Sequence, residues 1–105
     1  MLVVTIDSVP GYEIVAVIGD VLGATARAQN SFIEGARSLS GVASRQQSEM
    51  LGRCRREAVG RMATTAHQRG ANAVVGMRFD HRNIGGSWVE VCAYGTAVVV
   101  TPARR

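Results

Sequence analysis

The last third of the chain sets the tightest limit on what it can fold into. Gly70-Ala71-Asn72-Ala73-Val74-Val75-Gly76-Met77-Arg78-Phe79-Asp80 leads through Asn83-Ile84-Gly85-Gly86 to Glu90-Val91-Cys92-Ala93-Tyr94-Gly95-Thr96-Ala97-Val98-Val99-Val100. Both runs are rich in β-branched residues and the segment between them has turn composition, so the pair reads as a hairpin. The second run is apolar on both sides. A chain of 105 residues has little of its own with which to cover two faces, because small domains bury a modest share of their surface. The sequence therefore implies a partner subunit, and it names no substrate or reaction.

Alternation sorts the hairpin into two faces. The odd positions Ala73, Val75, Met77 and Phe79, with Val89, Val91, Ala93, Ala97 and Val99, form the expected core side. The even positions differ: Arg78, Asp80 and Arg82 on one strand, Trp88, Glu90, Cys92, Tyr94 and Thr96 on the other. Arg78 and Arg82 are expected diagonal to Glu90. An aromatic pair, a thiol and a compact charge cluster resemble an interface or shallow pocket more than free surface. Arg78, Asp80, Trp88, Glu90, Cys92 and Tyr94 are the candidate ligand or inter-subunit face.

Upstream, Leu2–Ile6 is a short β-like run and Asp7-Ser8-Val9-Pro10-Gly11 a turn. Tyr12–Leu22 is a second strand, its consecutive apolar residues suited to burial on both faces. Arg27–Leu39 has the spacing of a helix, with Ala28, Phe32, Ala36 and Leu39 on one side. Ser44–Arg69 is the longest helix, capped by Ser44 and stopped by Gly70. Leu51, Cys54, Ala58, Met62 and Ala66 make its inward stripe, and Glu49, Arg53, Glu57 and Arg61 recur every four residues on another side. The order is β-β-α-α-β-β, an α+β domain over residues 1–105 in which a small antiparallel sheet packs on one long and one shorter helix.

Composition narrows the function classes. At 47% apolar residues and a net charge of +4 the chain is neither disordered nor membrane-spanning. It lacks the start of a signal peptide, and two distant cysteines stay reduced, so the expected compartment is the cytoplasm. All twelve basic residues are arginine. A genome-wide codon bias accounts for that; recognition of phosphate or carboxylate is the sharper alternative.

No catalytic or metal-binding pattern emerges. Cys54, Cys92, His67 and His81 fall at no zinc spacing, so neither cofactor nor metal is expected within one chain. A site assembled between copies from Cys92 with Glu90 or Asp80 stays open. Asp80 and Glu90 are candidates for a carboxylate pair sharing a proton, with neutralisation by Arg78 and Arg82 the simpler reading. Gly19-Asp20-Val21-Leu22-Gly23 and Asn83-Ile84-Gly85-Gly86-Ser87 match no phosphate-binding fingerprint. Nucleic acid is the rival ligand, through Arg45, Arg53, Arg55, Arg56, Arg61 and Arg69 of the long helix, although Glu49 and Glu57 cancel part of that field. No series of surface aromatics offers base stacking.

Arg55-Arg56-Glu57-Ala58-Val59-Gly60-Arg61-Met62, the block Gly70–Phe79 and the block Glu90–Val98 together resemble the YbjQ-like family. A glycine-rich turn at Gly19–Gly23 and the helix after it also fit. The resemblance implies a dodecin-subunit-like fold, copies assembled into a ring, a homopentamer above all, and the family's label as a heavy-metal-binding domain. It carries over no catalytic residue, and no motif here supplies the divalent metal. Two departures stand out: Asn72 where an aspartate is usual, and Gly41–Gln47 without the usual double glycine and tyrosine-glutamate pattern. The reading is thus a homo-oligomeric, non-enzymatic binding protein for a metal or small ligand, whose partner is itself. A nucleic-acid-binding module and a purely structural oligomer are the alternatives.

Overall fold

The computed structural model describes residues 1–28, 42–83 and 88–104. Their elements are β1 (Leu2–Val3), β2 (Tyr12–Ala28), α1 (Val42–Gln68), β3 (Ala73–Asn83) and β4 (Trp88–Pro102). The strands form one sheet in the order β1-β3-β4-β2. β4 lies antiparallel to both β3 and β2, while β1 runs parallel to β3. The sheet is therefore mixed and not purely antiparallel as expected, since the chain must cross from β1 to β3 through all that lies between. Among the described residues the order is β-β-α-β-β. The shorter helix expected over Arg27–Leu39 falls mostly outside them; Arg27 and Ala28 extend β2, in register with Val89 and Trp88.

α1 begins at Val42, so Ser44 lies inside its first turn and not at the cap. It ends as expected. The Gly70 and Ala71 amides donate to the carbonyls of His67 and Ala66, which satisfies the last turn. The predicted stripe is the core: Cys54, Ala58, Met62 and Ala66 are buried against Val21, Val74, Val91, Ala93 and Ala97. Small side chains on both sides let the helix approach closely. At Gly23 there is no room for more, because a Cβ there would sit 2.2 Å from the Ala58 carbonyl oxygen and 2.3 Å from the Met62 nitrogen. The Gly19–Gly23 stretch is thus strand, not turn, with Gly23 as its point of contact with the helix.

One feature of β3 overturns the simple alternation. The ladder with β4 slips between Val75 and Arg78, where Gly76 takes φ 63°. A bulge inserts an extra residue and exchanges the faces beyond it. Val74, Met77 and Phe79 therefore face α1, while Ala73 and Val75 lie on the opposite side with Val98 and Val100. On β4 the expected odd set holds for Val91, Ala93 and Ala97.

The opposite side has its own cover over part of its length. Val4 and Val9, from the segment between β1 and β2, pack on Ala73, Val75, Val98 and Val100. The Val4 amide donates to the Val74 carbonyl, Gly76 to Ile6 and Met77 to Val4. A turn with Pro10 and Gly11 at its centre, closed by the Tyr12 amide on the Val9 carbonyl at 3.0 Å, sends the chain into β2. So the little that the chain can spare covers one end of the second face.

Candidate functional site

The uncovered end of that second face is where the candidate residues lie. β3, β4 and β2 set them in three rungs: Arg82, Glu90 and Ala26; Asp80, Cys92 and Ala24; Arg78, Tyr94 and Leu22. The even positions of the hairpin thus share one face, as alternation predicted. Trp88 pairs with Ala28 at the end of the ladder; its side chain lies outside the described residues.

The charges pair differently from the expected diagonals. Arg82 stands directly opposite Glu90 and donates from Nε to Oε1 at 2.8 Å. Arg78 turns away and donates from Nη1 to the carbonyls of Thr5, at 2.7 Å, and Met77, at 2.8 Å. It fastens the N-terminal segment across the sheet. Asp80 faces Cys92, one rung from Glu90. Burial pushes the half-buried Cys92 thiol above its ordinary pKa, Glu90 and Asp80 push the same way, and Arg82 opposes them. Near neutral pH the thiol is protonated, a poor nucleophile and a poor metal ligand. Glu90 is paired with Arg82, as the simpler reading of the two carboxylates had it for that arginine.

Metal donors do not gather. Among the described residues no three His, Cys, Asp or Glu side chains come together in a metal-holding group. Cys54 is 1% exposed beneath the helix. His81 accepts a hydrogen bond from Arg55 Nε at 3.3 Å, and the same guanidinium lies 5.2 Å from the Phe79 ring centroid. His67 is exposed at the far end of α1. Cys92, Asp80 and Glu90 are neighbours on one face of the hairpin.

The arginines of α1, read as a charged solvated face, are divided in use. Arg61 Nη1 donates to the Ala24 carbonyl. Arg69 donates from Nη1 to the Asp20 carbonyl at 2.6 Å and from Nη2 to Ile18 at 3.4 Å. Glu57 also turns inward and accepts from the buried Thr25 hydroxyl at 3.1 Å. Arg53 and Arg56 are exposed; Arg45 has no described side chain. An open groove of about 570 Å³ runs past Glu57, Gly60, Arg61, Thr64 and Thr65. All five belong to α1, which packs on the other face of the sheet from the hairpin rungs.

Sequence reasoning missed Asn72 as a structural residue. Its Nδ2 donates to the Val100 carbonyl at 2.9 Å and its Oδ1 accepts from the Val100 amide at 2.7 Å. The side chain imitates one more rung of sheet, which needs a donor and an acceptor together. Aspartate at this position has only the acceptor. The signal was present as a departure from the family pattern, but nothing in the sequence connected it with Val100.

Comparison with known proteins gives one consistent answer. A UPF0145 protein of Acidothermus cellulolyticus is 43% identical over 104 residues, covering 96% of each chain. One from Mycobacteroides abscessus is 42% identical, covering 99% of this chain and 100% of its own. UPF0145 protein PH1682 of Pyrococcus horikoshii is 45% identical over 100% of this chain and 92% of its own. Among solved structures, a protein of unknown function from the DUF74 family of Pediococcus pentosaceus aligns with a TM-score of 0.67 and 17% identity, over 96% of this chain and 98% of that one; at that identity the likeness speaks for the fold. The YbjQ family model, described as "Putative heavy-metal-binding", matches residues 1–101. With the helix stripe, the hairpin and these relatives in agreement, the chain belongs to the YbjQ (UPF0145) family.

Proposed function

We propose that this chain is the subunit of a cyclic homo-oligomer, a pentamer as the family resemblance implies, which acts in the cytoplasm as a non-enzymatic binding protein. The observation that carries the reading is the apolar surface left open: Val17 is 68%, Leu22 55%, Val15 54% and Tyr94 44% exposed. Neither Cys54 nor Cys92 forms a disulfide, as suits a reducing compartment, and among the described residues no helix is long and apolar enough to cross a membrane.

The ligand face is the set Arg78, Asp80, Trp88, Glu90, Cys92 and Tyr94, repeated by symmetry in every copy. A heavy metal, suggested by the family description, would find its donors there in Cys92 with Glu90 or Asp80. Light scattering at micromolar concentration tests the assembly, and a monomer ends the proposal. Zinc or copper added to reduced protein tests the ligand: binding to the folded state raises the melting temperature, and an unchanged melting temperature at saturation removes the metal. The nucleic-acid reading loses force because Arg55, Arg61 and Arg69 are engaged within the chain; affinity that ignores salt would remove it.

A further inference from the structure

β2 is an edge strand of the sheet, and among the described strands it is bonded to β4 alone. Such an edge is a template for pairing with another chain, and proteins guard it. Here the two halves are treated differently. From Ile18 to Ala24, the carbonyls of Ile18, Asp20 and Ala24 accept guanidinium donors from Arg69 and Arg61. Asp20 and Ala24 are an even number of residues apart, so their carbonyls point the same way. The helix reaches over this half of the edge and occupies it. From Tyr12 to Val17 no such hydrogen bond is seen among the described residues, and the side chains are open and, Glu13 apart, apolar: Val17 is 68%, Val15 54% and Tyr12 44% exposed. Bulges after Ile14 and Val17 set this half apart from the regular ladder beyond Gly19.

We infer that a second copy of this chain docks on the Tyr12–Val17 half of β2, and that Arg61 and Arg69 confine it there by occupying the edge carbonyls from Ile18 to Ala24. This rests on the oligomer proposed above and narrows it: copies meet at the start of β2, and the hairpin rungs stay free for a ligand. A second copy is the occupant because the chain carries the complementary charge itself. Residues 1–26 hold Asp7, Glu13 and Asp20 and no basic residue, whereas residues 42–69 hold six arginines against two glutamates. Glu13 lies within the strip and Asp20 just beyond it, and Arg53 and Arg56 are exposed on α1 to meet them. Seat and rim lie on different surfaces, so the contact is head-to-tail, the kind that closes rings.

The mass in solution decides the matter. Val15→Asp with Val17→Asp replaces two exposed side chains, leaves the circular dichroism unchanged, and is expected to reduce the particle to the 11.1 kDa monomer. Arg61→Ala with Arg69→Ala opens the guarded carbonyls and is expected to shift the mass upward into a heterogeneous population. Tyr94→Ser is expected to leave the mass as in the wild type. Dissociation by Tyr94→Ser but not by the valine pair overturns the seat and keeps the oligomer. An unchanged mass for the arginine pair overturns the guard. A monomeric wild type removes the oligomer and this inference with it.

Discussion

The two faces of the sheet carry residues of the same strands and meet opposite fates. On β4, Val91, Ala93 and Ala97 are 0% exposed beneath the helix, while Cys92 is half-buried and Tyr94 open on the other side. The helix-covered face is closed by small side chains fitted to one another, so its residues are sensitive to size. The other face is closed at one end by Val4 and Val9 and left open at Tyr94 and Leu22, so the residues at its open end bear on ligand chemistry more than on the stability of the single chain. Burial and function are divided between the faces by a period of two residues.

That contrast breaks most visibly at the point of closest packing. Gly23→Ala drives a methyl into the backbone of α1 at Ala58 and Met62 and is expected to cost about 3 kcal/mol or more, read as a drop in the urea midpoint. Leu22→Ala, its neighbour on the open face, is expected within about 0.5 kcal/mol of the wild type in the dissociated chain. Equal losses at the two positions would dissolve the distinction. Asn72→Asp removes the donor to the Val100 carbonyl and sets a carboxylate beside it; about 2 kcal/mol should be lost near neutral pH, while Asn72→Ser should cost less.

The cysteines sharpen the comparison without a large change in energy. In the native protein Cys92 should react with iodoacetamide and Cys54 should not, as peptide mapping would reveal. Because the folded pKa of Cys92 is raised, first by burial and then by Glu90 and Asp80, the protonated thiol is favoured by folding. Its contribution to stability is full below the ordinary thiol pKa and is lost as pH rises through the higher folded value. Alkylation should therefore be slow at pH 8 and climb at more alkaline pH than for a free cysteine. Glu90→Gln removes one cause of the shift and frees Arg82, so the rate at pH 8 should rise a few-fold. The same variant breaks an ion pair whose arginine is 67% exposed, and its effect on stability should stay below about 1 kcal/mol.

Local pattern was enough for the elements that depend on it. Spacing of three and four placed Cys54, Ala58, Met62 and Ala66 on one side of the long helix, and alternation placed Asp80, Cys92 and Glu90 on one face of the hairpin. The misreadings fall where one element answers another. Gly19–Gly23 has the composition of a turn, and only the helix lying on Gly23 shows why a strand carries glycine there. Glu57 and Arg61 follow the rhythm of a solvated face, yet both reach β2. Arg78 looked like a partner for Glu90 and instead holds the Thr5 carbonyl. In each case the partner is distant in sequence, and a long polar side chain leaves no periodic trace of where it ends.

By itself the sequence determined the periodicities: one amphipathic helix, a hairpin with a polar face, and more apolar strand than one helix can cover. Those follow from side-chain spacing, which is a property of the chain taken a few residues at a time. Tertiary structure alone decided which valines changed sides at the Gly76 bulge, that the N-terminal segment covers Val98 and Val100, and which half of the β2 edge the arginines occupy. These depend on register and reach between segments far apart along the chain, where a one-residue slip exchanges inside and outside.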